Sequence, residues 1–192
     1  MYRQQSRNLS MNAIWIIMIA NLLVYMVVLV EGQLIFDLGL QPGTWLERPW
    51  TIVTNMFVHG GLWHLLGNMV SLFFLGRFLI SLTGETKFLI VYFLGGLAGN
   101  LVYIALGPED TVAIGASGAV FAVGGALVSL IPNVRVLVFP IPAPVPLWVA
   151  IIGAFVVLSF LPNVAWQAHL GGLVFGLVLG YAFRGRRRST FF

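Results

Sequence analysis

The sequence predicts an all-α polytopic membrane protein, a bundle of six transmembrane helices with both termini in the cytoplasm. Of its 192 residues, 59% are hydrophobic and only 8% are charged, whereas a soluble domain has about 25% charged residues. Apolar runs close to twenty residues long recur, and such a run can cross about 30 Å of hydrocarbon. The basic residues collect on one side of the predicted membrane. At this length we expect a single membrane domain covering residues 1–192.

Six apolar segments define the predicted spans, which cover residues 13–30, 62–82, 88–106, 117–131, 147–161 and 166–183. The first is expected to remain as a membrane helix, because its apolar core is longer than that of a signal peptide and no A-x-A-like site follows Val30. We expect no organellar targeting segment ahead of it. This favours the inner membrane of a bacterium or an archaeon.

The distribution of charge predicts the orientation, because cytoplasmic loops are rich in Lys and Arg. With the N-terminus inside, nine basic residues lie on the inner side: Arg3, Arg7, Arg77, Lys87, Arg135, Arg184, Arg186, Arg187 and Arg188. The outer side has only Arg48 and five of the six acids: Glu31, Asp37, Glu47, Glu109 and Asp110. The basic tails cover residues 1–11 and 184–192. The "RGRRR" of the C-terminal tail is expected to act as a stop signal and lipid-headgroup anchor, and no nucleic acid is expected as a partner.

The chain has no cysteine, which excludes disulfides, thiolate metal sites and cysteine nucleophiles. Its three histidines, His59, His64 and His169, are a conceivable zinc set. However, no H-E-x-x-H motif is present and His59 falls in a predicted loop. We therefore predict neither a metal nor a cofactor.

Four polar residues are expected at a similar depth near the outer leaflet. The even-numbered spans enter the membrane from outside, and His64, Asn68, Ser117 and His169 all lie near the starts of such spans. Strongly polar groups inside a membrane are costly and therefore mark functional sites by default. Each of these residues alone has an ordinary structural explanation, but their coincidence at one depth favours a site.

The spacing of these residues indicates which helices meet. His64 and Asn68 are four residues apart and share one helical face. Small residues at every fourth position form ladders on the fourth and sixth spans: Gly118, Ala122 and Ala126 on one, and Ala168, Gly172, Gly176 and Gly180 on the other. Such ladders let helices approach closely. If they pack together, Ser117 and His169 come within hydrogen-bond reach.

The fourth span is short for a membrane helix. A helix of fifteen residues from Ser117 to residue 131 is about 22 Å long. Against about 30 Å of hydrocarbon, this leaves Ser117 roughly 8 Å below the outer boundary. Irregular backbone is tolerated at that depth only inside protein or beside water. We therefore expect a sunken, wet pocket with a serine at a helix N-terminus.

This position suits acyl transfer. A helix N-terminus presents unpaired N–H groups that favour an oxyanion, and His64 and Asn68 can donate hydrogen bonds to the same charge. Ser117 needs a base to take its proton, and His169 is the available one. Because no carboxylate lies in the outer half of any span, we predict a Ser–His dyad. Phe121, four residues after Ser117, could hold the imidazole by stacking.

Three motifs resemble those of the rhomboid family of intramembrane serine proteases. "HGGLWHLLGN" (residues 59–68) is similar to the H-x4-H-x3-N of the second helix, "GASG" (115–118) to G-x-S-G, and "AHLGGLVFG" (168–176) to A-H-x-x-G-x-x-x-G of the sixth. The resemblance implies that Ser117 is the nucleophile and His169 the general base. It also implies an oxyanion hole made by His64, Asn68 and the Ser117 backbone N–H. The implied supporting residues are His59, Gly115, Gly118, Phe121 and Gly172.

Two positions depart from the family pattern. Well-known members have a tyrosine four residues after the serine, and this chain has Phe121, so stacking is kept and one hydrogen bond is lost. Some members have a glutamate near the inner end of the second helix, where this chain has Ile80. Glu85 follows the end of that helix, which puts the family's inner polar network in question.

The resemblance implies an endopeptidase that cuts transmembrane segments of membrane proteins near the outer leaflet, with a site that opens to the extracytoplasmic side. The main alternative is a weak or inactive relative that binds or escorts membrane proteins, although such relatives typically lose the serine or the histidine. A transporter is a third reading, but the buried polar set is small and no inverted repeat is visible. Membrane lipid and transmembrane substrates are the expected partners.

Overall fold

The computed structural model describes residues 12–138 and 140–188, with side chains up to 184. Eight α-helices are present in these ranges: α1 Asn12–Val30, α2 Leu34–Leu38, α3 Thr51–Thr54, α4 Leu62–Thr83, α5 Glu85–Leu106, α6 Ser117–Leu130, α7 Leu147–Ser159 and α8 Trp166–Arg188. A 3₁₀ turn covers Asn55–Phe57, and strands β1 (Arg135–Val136) and β2 (Val145–Pro146) form a short antiparallel hairpin before α7. The basic N-terminal tail and residues 189–192 lie outside the described residues.

The fold is that of a mostly helical, polytopic membrane protein. Among the described helices, α1, α4, α5 and α8 are long and apolar enough to cross a bilayer. Helices α6 and α7, with 14 and 13 residues, are shorter, and each rises about 20 Å. All six helices lie where the apolar segments are, but the count of six spans and the cytoplasmic termini remain predictions.

Helix α6 is the centre of the bundle. Ten consecutive residues of it, from Gly118 to Leu127, are buried, and it packs against α4, α5, α7 and α8. The ladders on α6 and α8 face each other in register. A Cβ on Gly172 would overlap the carbonyl of Gly118, and one on Gly176 would overlap the carbonyl of Ala122. The small residues therefore let these two backbones touch.

At the end of the bundle where α1 begins, the carboxylate is Glu85 of α5, and α4 has Ile80. Glu85 opens α5 directly after Gly84, and its Oε1 accepts a hydrogen bond of 2.7 Å from the backbone N–H of Ala13. This caps a free N–H at the start of α1. Ile80 lies in the apolar core, 2% exposed. A hydrogen bond thus joins α1 to α5 at this end of the bundle, and its carboxylate is on α5 and not on α4.

The long connection between α1 and α4 braces the connection that leads to α6. The two segments pair as an isolated β-bridge, with Leu40 N–H to Ala113 O at 2.9 Å and Ala113 N–H to Leu40 O at 2.8 Å. On one side of the bridge, Gly43 N–H donates to Glu109 O at 3.0 Å. These bonds hold the backbone that approaches Ser117.

Candidate active site

Ser117 and His169 meet where α6 and α8 begin. Ser117 is the first residue of α6, and His169 lies in the first turn of α8. The close approach of the two helices places Ser117 Oγ 2.7 Å from His169 Nε2. His169 is buried, and its second ring nitrogen, Nδ1, has no hydrogen-bond partner among the described residues. Within the described part of the chain, the pair is therefore a serine and a histidine with no carboxylate behind the imidazole.

Phe121 packs beside the imidazole. Its ring centroid is 4.8 Å from that of His169, with 34° between the planes. On its other side, Phe121 meets Phe155 of α7 edge to face, with centroids 6.0 Å apart. Because Phe121 lies one turn after Ser117 on the same helix, it limits how far the imidazole can rotate away from the serine.

His64 and Asn68 face the same cavity as Ser117 and His169. Asn68 Nδ2 donates to the backbone carbonyl of His64 at 2.9 Å, which holds its carboxamide along the helix. A carboxamide nitrogen has two hydrogens, so Asn68 can donate a second hydrogen bond towards the cavity. Both side chains are thus available as donors beside the serine.

Gly115 lies directly against His64. Its φ of +115° is one that L side chains rarely adopt, and a Cβ at this position would be 2.6 Å from His64 Nε2. Any side chain here would therefore strain the backbone and displace the imidazole of His64. Gly118 also takes part in a close contact, because its backbone carbonyl lies against Gly172 of α8.

His59 lies behind His64 and is fully buried. The two rings meet edge to face with centroids 4.9 Å apart, and Nδ1 of His59 is 3.4 Å from the carbonyl of Phe57. Burial, and to a smaller extent the neighbouring His64, lowers the pKa of His59 from 6.5 to about 4. His59 is therefore neutral near pH 7 and packs as a structural residue.

The burial of His59 predicts that the stability of the protein depends on pH. The pKa of His59 is lower in the folded state than in the unfolded state. Burying its neutral ring therefore stabilises the fold fully above about pH 6.5, and this stabilisation is lost as the pH falls towards 4. Between pH 7.5 and pH 5 the loss is about 2 kcal/mol. Thermal unfolding in detergent at both pH values measures it. In His59→Gln the drop in Tm should be clearly smaller, and an equal drop would contradict this assignment.

The cavity that holds these side chains has a volume of about 520 Å³. It is bounded by α4 and α6, by α7 through Ile151, Ala154 and Leu158, and by the segment before α8. A second cavity of about 590 Å³ lies between residues 108–114 and 163–167 and shares His64 with the first. Asn163, which has a positive φ of 60°, borders both.

Two asparagines near the site were missed by the sequence analysis. Asn55 and Asn100 are buried and line the first cavity. Asn100 carried a usable signal, since it is a polar residue within a predicted span, the same criterion that selected Asn68. Asn55 carried none, because it lies in a connection where asparagine is common. Of the predicted site residues, the structure brings Ser117, His169, His64, Asn68 and Phe121 together at the first cavity, and His59 lies behind His64.

The fold and the site define a class: a helical membrane protein with a serine–histidine pair at a cavity between its helices. Residues 46–186 match the family model of the Rhomboid domain. The chain therefore belongs to the rhomboid family.

Curated relatives agree with this assignment. The chain is 31% identical over 147 residues to YdcA of Bacillus subtilis, which is named as a rhomboid protease. The match covers 76% of this chain and 71% of the relative. It is 33% identical over 144 residues to RHOMBOID-like protein 1 of Arabidopsis thaliana (74% and 36%). It is 32% identical over 150 residues to Rhomboid protein 1, mitochondrial, of Saccharomyces cerevisiae (68% and 41%). The chain thus spans well under half the length of the plant and yeast relatives.

Proposed function

We propose that this protein is an intramembrane serine endopeptidase that cleaves the transmembrane segments of other membrane proteins near the outer leaflet. The observation that carries the proposal is the 2.7 Å contact between Ser117 Oγ and His169 Nε2 at the start of a buried helix. A nucleophile within hydrogen-bond reach of a base is the arrangement that acyl transfer needs. Membership of a family with a relative named as a protease supports it.

In the proposed reaction, Ser117 Oγ attacks the scissile carbonyl while His169 Nε2 takes the hydroxyl proton. The proton then passes to the leaving amine, and a water hydrolyses the acyl-enzyme by the same route in reverse. The oxyanion receives hydrogen bonds from the Ser117 backbone N–H, His64 and Asn68. One such donor is worth about 10²–10³ in rate in other hydrolases.

Phe121 takes part of the role that a carboxylate has in a triad. It restricts the imidazole of His169 by packing against it at 4.8 Å. The face of an aromatic ring also attracts a cation, which favours the imidazolium that forms during the reaction. Tyrosine is not needed for either effect.

The cavity offers a place for an unwound substrate. Helix α6 has 14 residues and spans about 21 Å of a hydrocarbon layer of about 30 Å, so Ser117 lies below the outer boundary when the inner end of α6 is at the interface. A transmembrane helix must open before its carbonyl can be attacked, and freed backbone groups cost several kcal/mol each in hydrocarbon. The cavity between α4 and α7 is mostly apolar, but the polar side chains of His64, Asn68 and Ser71 line it and can hydrogen-bond to these groups.

We propose that the preferred bond follows a small residue and lies near helix-weakening residues. Gly115 and Gly118 leave little room beside Ser117, because each is in tight contact with a neighbour. Gly, Pro or polar residues near the bond lower the free energy of opening the substrate helix.

The experiment is cleavage of a single-span membrane protein by the purified chain in lipid vesicles. Replacing the Gly and Pro residues of the outer half of the substrate span by Leu should slow cleavage by about tenfold or more, since helix opening becomes harder. The same replacements in the inner half are the control and should have little effect. Rates come from gel analysis and the cut bond from mass spectrometry. Unchanged rate at an unchanged bond would contradict this account of selectivity.

A non-cleaving role, in which the chain binds or escorts membrane proteins, is the second candidate because several relatives are named only rhomboid-like. The hydrogen-bonded serine and histidine favour the protease.

As to location, the protein is a multi-pass membrane protein. We propose that it resides in a bacterial or archaeal cell membrane, contacts its lipids, and opens its site to the extracytoplasmic side.

A further inference from the structure

A reciprocal pair of carboxamides lies beneath the candidate active site. Asn55 Nδ2 donates to Asn100 Oδ1 at 3.0 Å, and Asn100 Nδ2 donates to Asn55 Oδ1 at 2.8 Å. The two residues are 2% and 4% exposed. A buried polar group without a partner is costly, so a mutually satisfied pair at this depth is a specific connection between the 3₁₀ turn and α5.

The pair joins a rigid helix to the backbone that precedes Ser117. Asn100 Nδ2 also donates to the carbonyl of Ile52 at 2.7 Å, which attaches α3 to α5. The backbone carbonyl of Asn55 accepts a hydrogen bond of 2.8 Å from the N–H of Gly115. A continuous line of hydrogen bonds therefore runs from α5 through Asn100 and Asn55 to Gly115.

The position of Gly115 affects the geometry of the candidate active site. It lies two residues before Ser117 and against the ring of His64, with space for no Cβ between them. A shift of Gly115 would therefore change the separation between His64 and the Ser117 backbone N–H. Ser117 Oγ and His169 are held independently, by the packing of α6 on α8.

We infer that Asn55 and Asn100 are positioning residues that set Gly115 against His64 and so fix the geometry of the oxyanion donors. The inference rests on the proposed function of this site. Hydrogen bonds are directional, whereas apolar contacts at this position would allow the turn to slide along α5. The carboxamide pair thus affects the rate of the chemical step more than substrate binding.

Single and double substitutions separate positioning from mere stability. Asn55→Leu or Asn100→Leu leaves one buried carboxamide unpaired and should lower both Tm and kcat. In the double variant no carboxamide is left unpaired, and replacing both partners of a buried hydrogen bond is often close to neutral for stability. We expect its Tm to recover most of the loss while kcat stays about tenfold or more below wild type, with KM within about twofold.

The matched control is Asn21→Leu, which removes a fully buried carboxamide from α1. Its Nδ2 donates to Ile17 O in the same helix, and its side chain meets the Tyr92 hydroxyl of α5, outside the lining of the first cavity. Its kcat should equal that of the wild type. A double variant that recovers kcat together with Tm would overturn the inference, because the pair would then be only structural. If the double variant does not fold, the double variant Asn55→Ala/Asn100→Ala carries the same comparison, since it also leaves no carboxamide of the pair unpaired and adds no bulk.

Hydrogen exchange gives a readout that needs no activity. In the double variant, amide exchange measured by mass spectrometry should rise in residues 107–117 and stay unchanged in α8. Unchanged exchange in residues 107–117 would overturn the inference even with kcat reduced. A wild-type protein that cleaves nothing, but whose variants exchange faster as expected, would instead contradict the proposed function.

Discussion

Ser117→Ala should reduce cleavage of a single-span substrate by about a thousandfold or more while Tm stays within a few degrees of wild type. The magnitude follows from the loss of the only proposed nucleophile, since removing the serine of a Ser–His site eliminates the covalent route. Stability is retained because His169 is the hydroxyl's one hydrogen-bond partner among the described residues, and the backbone at the start of α6 is unchanged. Cleavage is measured in lipid vesicles, and Tm in detergent.

Labelling with a fluorophosphonate checks the same residue without a substrate. The wild type should be labelled at Ser117, and Ser117→Ala not at all. His169→Ala should be labelled at least about a hundredfold more slowly, because the base is lost. Ser129→Ala is the matched control: it lies on the same helix, and its hydroxyl bonds to the carbonyl of Leu177, away from the site. Substrate turnover by purified Ser117→Ala would remove the protease assignment.

Gly172→Ala should destabilise the protein and inactivate it together. A Cβ at this position would overlap the carbonyl of Gly118, so α8 must move away from α6. Overpacking of this kind costs about 1–3 kcal/mol. The same movement separates His169 from Ser117, and misplacement of reacting groups by about 1 Å can lower the rate by about a hundredfold. Thermal unfolding and cleavage rate are measured on the same preparation.

Gly153→Ala is the control for that substitution. Gly153 lies within α7, and a Cβ there would meet nothing within 4 Å. Replacing a glycine inside a helix by alanine favours the helix by up to about 1 kcal/mol, so Tm should stay the same or rise. Loss of activity in Gly153→Ala as large as in Gly172→Ala would show that helix propensity, and not the contact between α6 and α8, governs the effect.

Local sequence patterns predicted the positions of the helices well. Length and hydropathy placed all six long and medium helices, because an apolar stretch of this size has few alternatives to a helix in a membrane. The start of α6 at Ser117 was also predictable, since Gly115 and Ala116 fit a turn before it and the helix that remains is short. The bounds of α5 and α8 were less accurate: α5 begins at Glu85, immediately after Gly84, and α8 continues to Arg188.

The sequence by itself determined the helical membrane class, the small-residue ladders and the set of polar residues that share faces, since these depend on composition and on spacing along one chain. Only the tertiary structure decided which atoms meet. The 2.7 Å contact of Ser117 with His169, the capping of α1 by Glu85, and the Asn55–Asn100 pair join residues 52, 72 and 45 positions apart. Their geometry depends on how closely whole helices approach, which no local pattern encodes.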